Sequence, residues 1–222
     1  MKSKIKYLHI SCDGAGGTGK STGAELISKK YNLKFLSSGL LYRYAASQLL
    51  KYKPKNEMIF LKKKFKNFDF RKLKKLNLHT PKISDYSSHI AKKKNIRDIL
   101  KKIQKDFSKK NRKCCIEGRD ISTKILPKSD VKFYFYCSLN IAALRRYKQI
   151  KKFDKKIKFS DVKKALRKRN FLDVNRKNSP LLKHADSISI DTGKLNKSEM
   201  LKKMSFYIDL KLKKKYGNWS KP

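Results

Sequence analysis

The sequence predicts an α/β fold, a five-stranded parallel sheet with helices on both faces. Short apolar runs alternate with helical segments along the chain, and a glycine-rich turn joins the first run to the first helix. The most apolar run, VKFYFYC at 131–137, fits a strand that is buried on both faces of the sheet. At 222 residues the chain is long enough to bury one core, so we expect one domain with excursions.

The first strand and helix flank a recognisable turn. A strand is predicted over 7–12 and a helix over 20–31, and the turn between them matches the spacing G-x-x-x-x-G-K-[ST]. Glycines let successive backbone N–H groups converge on phosphate oxygens, and the helix adds its positive N-terminal end. We therefore expect this loop to bind the phosphates of ATP, with Lys20 on the β and γ phosphates and the Ser21 hydroxyl on Mg²⁺. The expected phosphate-binding residues are Gly14, Ala15, Gly16, Gly17, Thr18, Gly19, Lys20, Ser21 and Thr22. A chance match is disfavoured, because the motif requires such a strand before it and such a helix after it.

A second strand-to-helix turn follows at 33–43. In an open parallel sheet such turns line the ligand crevice, so Ser38 and Arg43 are candidates to hold a second anion. The strand spacing is then interrupted from residue 45 to residue 112, a lysine-rich excursion with one predicted helix over 87–110. The functional interpretation is a substrate-binding insert, and the alternative is a mere surface elaboration.

The second half of the chain returns to the alternating pattern. A strand at 113–116 leads directly into Glu117-Gly118-Arg119-Asp120, a compact charged cluster at a strand end. Residues 151–158 are highly basic and show no periodic pattern of apolar residues that could pack into a core. These properties are typical of a mobile lid over phosphates. The remaining elements are expected as a helix over 138–148, a helix capped by Ser160 that runs to Arg176, a strand at 187–191 and a helix from Ser198 onward.

Six segments in order resemble the bacterial cytidylate kinases, P-loop nucleoside monophosphate kinases that phosphorylate CMP and dCMP from ATP. The segments are DGAGGTGKST, LSSGLLYR, LHTPKISDYSS, IRDILKKIQKDF, EGRDIST and KRNFLDVNRKNSPL. The resemblance runs nearly end to end and implies a single kinase domain. It divides the chain into a core at 1–44, 113–147 and 161–222, a nucleoside-monophosphate-binding insert at 45–112 and a lid at 148–160.

The resemblance also implies roles for individual residues. Ser38, Arg43, Arg119 and Arg176 fall where the family binds the acceptor's phosphate, and Asp120 lies in the same EGRDIST segment and is counted with the substrate-binding residues. Ser88 and Arg97 match residues that contact the cytosine ring, and Arg169 and Asp173 match contacts to the sugar and base. Lys20, Arg119 and Arg176 are the expected catalytic residues. The chain departs from the family pattern at Ser37, His79, Lys168, Asn170 and Leu172, which bears on base selectivity and on ordering of the lid.

The composition adds a rival hypothesis. Sixty Lys and Arg against 17 acidic residues give a formal charge of +43, which is typical of nucleic-acid-binding proteins. The lysines are spread along the whole chain, however, as an AT-rich genome would impose on exposed positions. A basic nucleic-acid-binding P-loop ATPase is therefore the less favoured alternative, beside a kinase with a broader acceptor range that includes UMP or AMP.

Location and partners follow from what the sequence contains. No run is long and apolar enough to span a membrane, and the N-terminus has no signal-peptide stretch. The four cysteines form no C-x-x-C pair and fit buried, reduced thiols. We expect a cytoplasmic monomer that acts on the small molecules CMP and dCMP, without a membrane and without an obligatory nucleic acid.

Overall fold

The structure is a computed structural model and describes residues 6–66 and 68–217. Its strands are β1 Leu8–Gly14, β2 Lys34–Ser37, β3 Lys113–Gly118, β4 Val131–Tyr136 and β5 Ile188–Asp191. Its helices are α1 Lys20–Lys30, α2 Ser38–Tyr52, α3 Glu57–Phe65, α4 Pro81–Ile90, α5 Lys94–Lys110, α6 Leu139–Lys151, α7 Phe159–Asn175 and α8 Lys197–Tyr216. A 3₁₀ segment over Phe70–Lys75 and a short π-helical turn over Ile121–Ile125 complete the described elements.

The strands form one five-stranded sheet in the order β2-β3-β1-β4-β5. The pairings of β1 with β3, of β1 with β4 and of β4 with β5 are all parallel. All seven residues of β1 are buried, as expected of the middle strand of a covered parallel sheet. The predicted α/β class with a five-stranded parallel sheet is therefore confirmed. Because parallel strands all end at the same edge, the last residues of β1 and β3 lie side by side, with Asp13 opposite Gly118.

The chain divides into two compact units. The first unit comprises residues 1–35 and 112–222, and the second comprises residues 36–111. The core of the first unit is apolar and fully buried: Leu8 and Ile10 of β1 pack with Phe133 and Phe135 of β4 and with Ile27 of α1. Helix α8 contributes Met204, Ile208 and Leu212 to the same core. This packing fixes the strand ends from which the candidate site is built.

The second unit is helical. Within it α2 packs against α4, and α3 packs against α5. A continuous series of aromatic contacts runs through the unit, with ring centroids 4.6 to 5.6 Å apart, from Tyr44 through Phe65, Phe68 and Phe70 to Phe107. Such offset and edge-to-face contacts stabilise a small core. Phe65, Phe68 and Phe70 of this series lie on helical segments and turns, so no strand is needed to bring their rings together.

Two helix predictions were wrong in detail. The single helix predicted over 87–110 is two helices, α4 and α5, with a break at 91–93. The Thr80 hydroxyl accepts the N–H of Ile83, and Pro81 opens α4, so the first helix begins earlier than the apolar pattern indicated. Ile90 and Ile96 are six residues apart, which is not a helical spacing. At α7 the N-cap is Lys158 without a side-chain bond, so Ser160 does not cap this helix.

The boundaries of the predicted insert and lid stay predictions. Between α6, which ends at Lys151, and α7, which begins at Phe159, seven residues lie outside any helix within the predicted lid at 148–160, and four of them form turns. In the part of the chain that the structure describes, no helix is long and apolar enough to cross a membrane. All four cysteines are free thiols, and Cys12, Cys114 and Cys115 are buried, as the sequence predicts.

Candidate functional site

The glycine-rich loop connects the end of β1 to the start of α1. Gly17 adopts a left-handed conformation with a φ of 76°, and a Cβ at this position would lie 2.7 Å from the backbone oxygen of Ala142. Only glycine both adopts this φ angle without strain and leaves room for the Ala142 backbone. Gly19 precedes α1 and offers no side chain to cap it. The positive N-terminal end of that helix can therefore attract an anion. The Thr18 hydroxyl donates to the Ala15 carbonyl at 2.9 Å and fixes the loop internally.

Lys20 is the first residue of α1 and is only 7% exposed. Its Nζ donates to the Ala15 carbonyl at 3.3 Å and lies 3.6 Å from Oε2 of Glu117, at the end of β3. Burial and, next in importance, the nearby Arg119 guanidinium lower the pKa of Lys20 to about 8, although Glu117 opposes the shift. A buried ammonium of this kind is stabilised by anionic groups brought to it, and phosphates supply them.

Arginines and carboxylates form a network beside this loop. Nε of Arg119 donates to Oδ2 of Asp173 at 2.9 Å. Arg176 lies 3.5 Å from the other oxygen of Asp173 and 3.8 Å from Oδ1 of Asp120. Burial raises the pKa of Asp173, but the guanidiniums of Arg119, Arg169 and Arg176 outweigh it, so the carboxyl stays ionised. Burial, with Arg119 next in importance, also lowers the pKa of Arg169 to about 10.

The Arg119–Asp120 pair is held in place by Asp13, which sequence reasoning missed. Asp13 is the residue before Gly14 and is buried. Its carboxylate accepts the backbone N–H groups of Ile121 and Ser122 at 2.8 and 2.7 Å, and the Ser122 hydroxyl at 2.6 Å. The segment that carries Arg119 is thereby tied to the strand that carries the phosphate loop. The signal was present in the sequence, since an acidic residue in an apolar strand needs partners.

Two further contacts anchor the phosphate loop and were also missed. On one side, Arg145 of α6 donates to the Thr192 hydroxyl at 3.0 Å and to the Thr192 carbonyl at 2.7 Å. The Thr192 hydroxyl in turn donates to the Thr18 carbonyl at 2.8 Å. On another side, the Gly16 N–H donates to Oδ1 of Asn170, on α7, at 3.2 Å. The two contacts made by the loop itself join residues 154 and 174 positions apart in sequence, which local patterns do not reveal.

The second unit holds the other predicted residues. Ser38 is buried at the start of α2, where the Ser37 hydroxyl caps the helix by accepting the Leu40 N–H at 3.2 Å. Arg43 lies on the same helix and is half-buried. The Ser88 hydroxyl donates to the Ser84 carbonyl at 3.2 Å within α4. Arg97 of α5 is 2% exposed, donates to the Ala91 carbonyl at 3.3 Å, and lies over the Tyr42 ring, 5.6 Å from its centroid.

The structure thus sorts the predicted site residues into two sets. The first unit brings the phosphate loop together with Lys20, Arg119, Asp120, Arg169, Asp173 and Arg176. Ser38, Arg43, Ser88 and Arg97 belong to the second unit. The loop residues suit a nucleoside triphosphate, because they combine a left-handed glycine turn, a buried ammonium and, at Ser21, an exposed hydroxyl on the first turn of α1. Among the described residues, no group of His, Cys, Asp and Glu forms a metal site of its own.

Comparison with known proteins identifies a family. The family model described as cytidylate kinase matches residues 10–210. A protein from Clostridium tetani named cytidylate kinase is 31% identical, and the match covers 96% of this chain and 98% of that protein. A cytidylate kinase from Fervidobacterium nodosum is 31% identical over 89% of this chain and 94% of that protein. One from Bartonella quintana is 33% identical, with 86% and 89% covered.

Proposed function

The chain belongs to the cytidylate kinase family, and on that premise we propose that it transfers the γ-phosphoryl group of ATP to CMP or dCMP. The products are ADP and CDP or dCDP. One observation carries the proposal: the ammonium of Lys20 is buried and lies close enough to the guanidinium of Arg119 for that second cation to lower the pKa of Lys20. The binding of phosphate groups stabilises cations that are clustered at the edge of a parallel sheet. A kinase must bring together two phosphate groups, one from the donor and one from the acceptor.

The phosphoryl transfer requires no strong general base. The 5′-phosphate of the acceptor is ionised near neutral pH, so its oxygen attacks the γ phosphorus while ADP leaves with the bridging oxygen and its electron pair. Catalysis is then positioning and charge stabilisation. Lys20 holds the β and γ phosphates, and Arg119 and Arg176 stabilise the charge on the transferring group and the acceptor phosphate. The Ser21 hydroxyl would hold Mg²⁺, and the ion would supply positive charge that offsets the charge of the phosphates.

The acceptor is recognised by two sets of side chains. The family resemblance assigns binding of its phosphate to Ser38 and Arg43, and also to Arg119 and Arg176. A pyrimidine with an exocyclic amine needs an acceptor such as the Asp173 carboxylate, and its carbonyl oxygen and ring nitrogen need donors such as Arg97 and Ser88. Arg169 completes the contacts to the sugar. Asp120 orients Arg176, from which it is 3.8 Å away.

The setting of the reaction is part of the same proposal. The segment at 148–160 closes over the phosphates, which excludes water and prevents wasteful hydrolysis of ATP. The insert at 45–112 presents the acceptor. The protein acts as a cytoplasmic monomer on free nucleotides in pyrimidine nucleotide metabolism, and nucleic acid is not required.

A coupled ADP-release assay tests the proposal. ATP and Mg²⁺ are held constant while CMP, dCMP, UMP, dTMP, AMP and GMP are added in turn. We expect strong turnover with CMP and dCMP, weak turnover with UMP and the least with purines. Comparable turnover with UMP or AMP would instead support the broader acceptor range. Acceptor-independent ATP hydrolysis, combined with RNA binding that weakens steeply with salt, would support the nucleic-acid-binding ATPase.

A further inference from the structure

One N–H group of the phosphate loop already has a partner. The Gly16 N–H donates to the side-chain carbonyl of Asn170 at 3.2 Å. In a loop of this kind the backbone N–H groups are the ligands of phosphate oxygens. An amide carbonyl that accepts from such a group therefore occupies a position that a phosphate oxygen would take.

The contact is enforced by close packing of α7 on the loop. A Cβ at Gly16 would lie 2.8 Å from Cδ1 of Leu166, one turn before Asn170 on the same helix. Leu166 itself is buried in a small cluster with Ala142 and Ala143 of α6. Asn170 is thus placed against Gly16 by its helix, and its contact does not depend on a freely moving surface side chain.

We propose that Asn170 is an internal competitor for the donor phosphates: its carbonyl holds the Gly16 N–H until ATP displaces it, so this residue sets the affinity for ATP. The inference rests on the proposed function only for the identity of the ligand as ATP. Asn170 acts on the ligand through Gly16 and is a positioning residue rather than a catalytic one.

The competition also ties α7 to the loop. Asn170 and Asp173 are three residues apart on α7 and therefore lie on the same face of it. Asp173 holds Arg119, whose Nη2 would lie 3.8 Å from a Cβ at Gly16. Displacing Asn170 with ATP releases one of the contacts that keep this face of α7 on the phosphate loop.

The test is a titration of the whole protein with ATP, without Mg²⁺ and without any acceptor, by calorimetry. Asn170→Ala removes the competing carbonyl, so we expect ATP to bind about two- to tenfold more tightly, the worth of one net hydrogen bond. Asn170→Asp keeps the acceptor and adds a negative charge next to the phosphates, so we expect ATP to bind more weakly than in the wild type. Asn175→Ala is the matched control, because Asn175 lies on the same helix and its side chain donates to the Phe171 carbonyl.

A second readout follows the Gly16 amide directly. In the nucleotide-free protein, hydrogen exchange at Gly16 should be faster in Asn170→Ala than in the wild type and in Asn175→Ala. Opposite shifts of ATP affinity in the Ala and Asp variants are a pattern that a merely structural residue does not give. If Asn170→Ala does not fold, the Asp variant still decides, since unchanged or tighter ATP binding by it overturns the proposal.

The outcomes separate this inference from the proposed function. Unchanged or weaker ATP binding by a folded Asn170→Ala, as judged by its melting temperature, overturns the inference even when CMP is phosphorylated. The expected pattern of ATP affinities supports the inference even when the acceptor assay shows no CMP turnover. A wild-type chain that does not bind ATP overturns both.

Discussion

The two compact units use their predicted polar residues in different ways. In the first unit the charged side chains pair with groups far away in sequence: Lys20 with Glu117, and Arg119 with Asp173. In the second unit the side chains bond to backbone nearby, as Ser88 does to the Ser84 carbonyl and Arg97 to the Ala91 carbonyl. The first arrangement exists only once the sheet has formed, whereas the second is largely a property of α4 and α5.

This difference ranks the expected effects of substitutions. Removing one member of a buried charge pair leaves its partner buried and uncompensated, which typically costs about 3–5 kcal/mol. Removing a neutral hydroxyl that already bonds its own helix costs about 0.5–1.5 kcal/mol. We therefore expect variants of the first unit to damage the reaction itself and variants of the second unit to alter mainly the use of the acceptor.

The largest effect is expected for Lys20→Ala. The substitution removes the buried ammonium beside the phosphate loop, and the loss of one such stabilising group lowers turnover by about 100- to 1,000-fold or more. Steady-state kinetics with ATP and CMP measures the loss, and circular dichroism checks that the fold survives. Lys29→Ala, on the exposed last turn of the same helix, is the control and should be near normal. Near-normal activity of Lys20→Ala would refute the assignment of the loop.

Asp173→Ala should come next. Asp173 pairs with Arg119 and with Arg176, so its removal leaves both guanidiniums without the carboxylate that orients them. We expect kcat/KM for CMP to fall by about 100-fold and KM for ATP to change by less than about threefold. The exposed Asp161, on the first turn of the same helix, provides the control variant Asp161→Ala. Equal losses for both substrates would mean that Asp173 is structural and does not serve the acceptor.

Much of the first unit was predictable because its signals are local in sequence. The spacing of Gly14, Gly19 and Lys20 predicts the phosphate loop, and the apolar runs predict the strands. Each strand end then follows from the parallel sheet, which is why the charged cluster from Glu117 to Asp120 was expected at a strand end and Arg119 at a site. The contacts made by Asp13, Asn170 and Arg145 were not expected, since their partners lie more than 40 positions away.

The second unit was less predictable because helix boundaries depend on caps more than on apolar periodicity. Charged residues fill 92–94 and suit an exposed helix face as well as a break, so the six-residue spacing of Ile90 and Ile96 was the local signal that α4 and α5 are separate. The Thr80–Pro81 start signal was present in the sequence, and reading it first would have given the correct beginning of α4. The base-reading roles of Ser88 and Arg97 rest on the family resemblance and stay predictions.

The pH dependence of the reaction tests the role of the Lys20 ammonium without a substitution at this residue. Its pKa is about 8 in the folded protein, against 10.5 normally, because burial disfavours the charged form. Below pH 8 the protonated ammonium is present, so we expect kcat/KM for ATP to be level there and to fall by up to about tenfold per pH unit above it. Folding stability should move the other way, rising between pH 8 and 10.5, where the unfolded chain binds more protons at Lys20.

Glu117→Gln sharpens this experiment. The Glu117 carboxylate raises the pKa of Lys20, so its removal should move the decline of kcat/KM to lower pH. Asp106→Asn neutralises a partly exposed carboxylate of α5 that pairs with Lys102, and it should leave the profile unchanged. A profile that does not move in Glu117→Gln would show that the decline belongs to another group.

The smallest effect is expected in the second unit, where two neighbouring serines allow a matched pair. The hydroxyls of Ser87 and Ser88 both donate to the Ser84 carbonyl, at 2.8 and 3.2 Å, but Ser87 is 3% exposed and Ser88 is half-buried. If Ser88 reads the base, Ser88→Ala should raise KM for CMP about three- to tenfold with little change in kcat, the loss expected for one neutral hydrogen bond. Ser87→Ala should leave KM for CMP unchanged and lower only the melting temperature. A rise in KM for CMP in both variants would show that α4 itself is disturbed, and a rise in neither would remove Ser88 from the acceptor site.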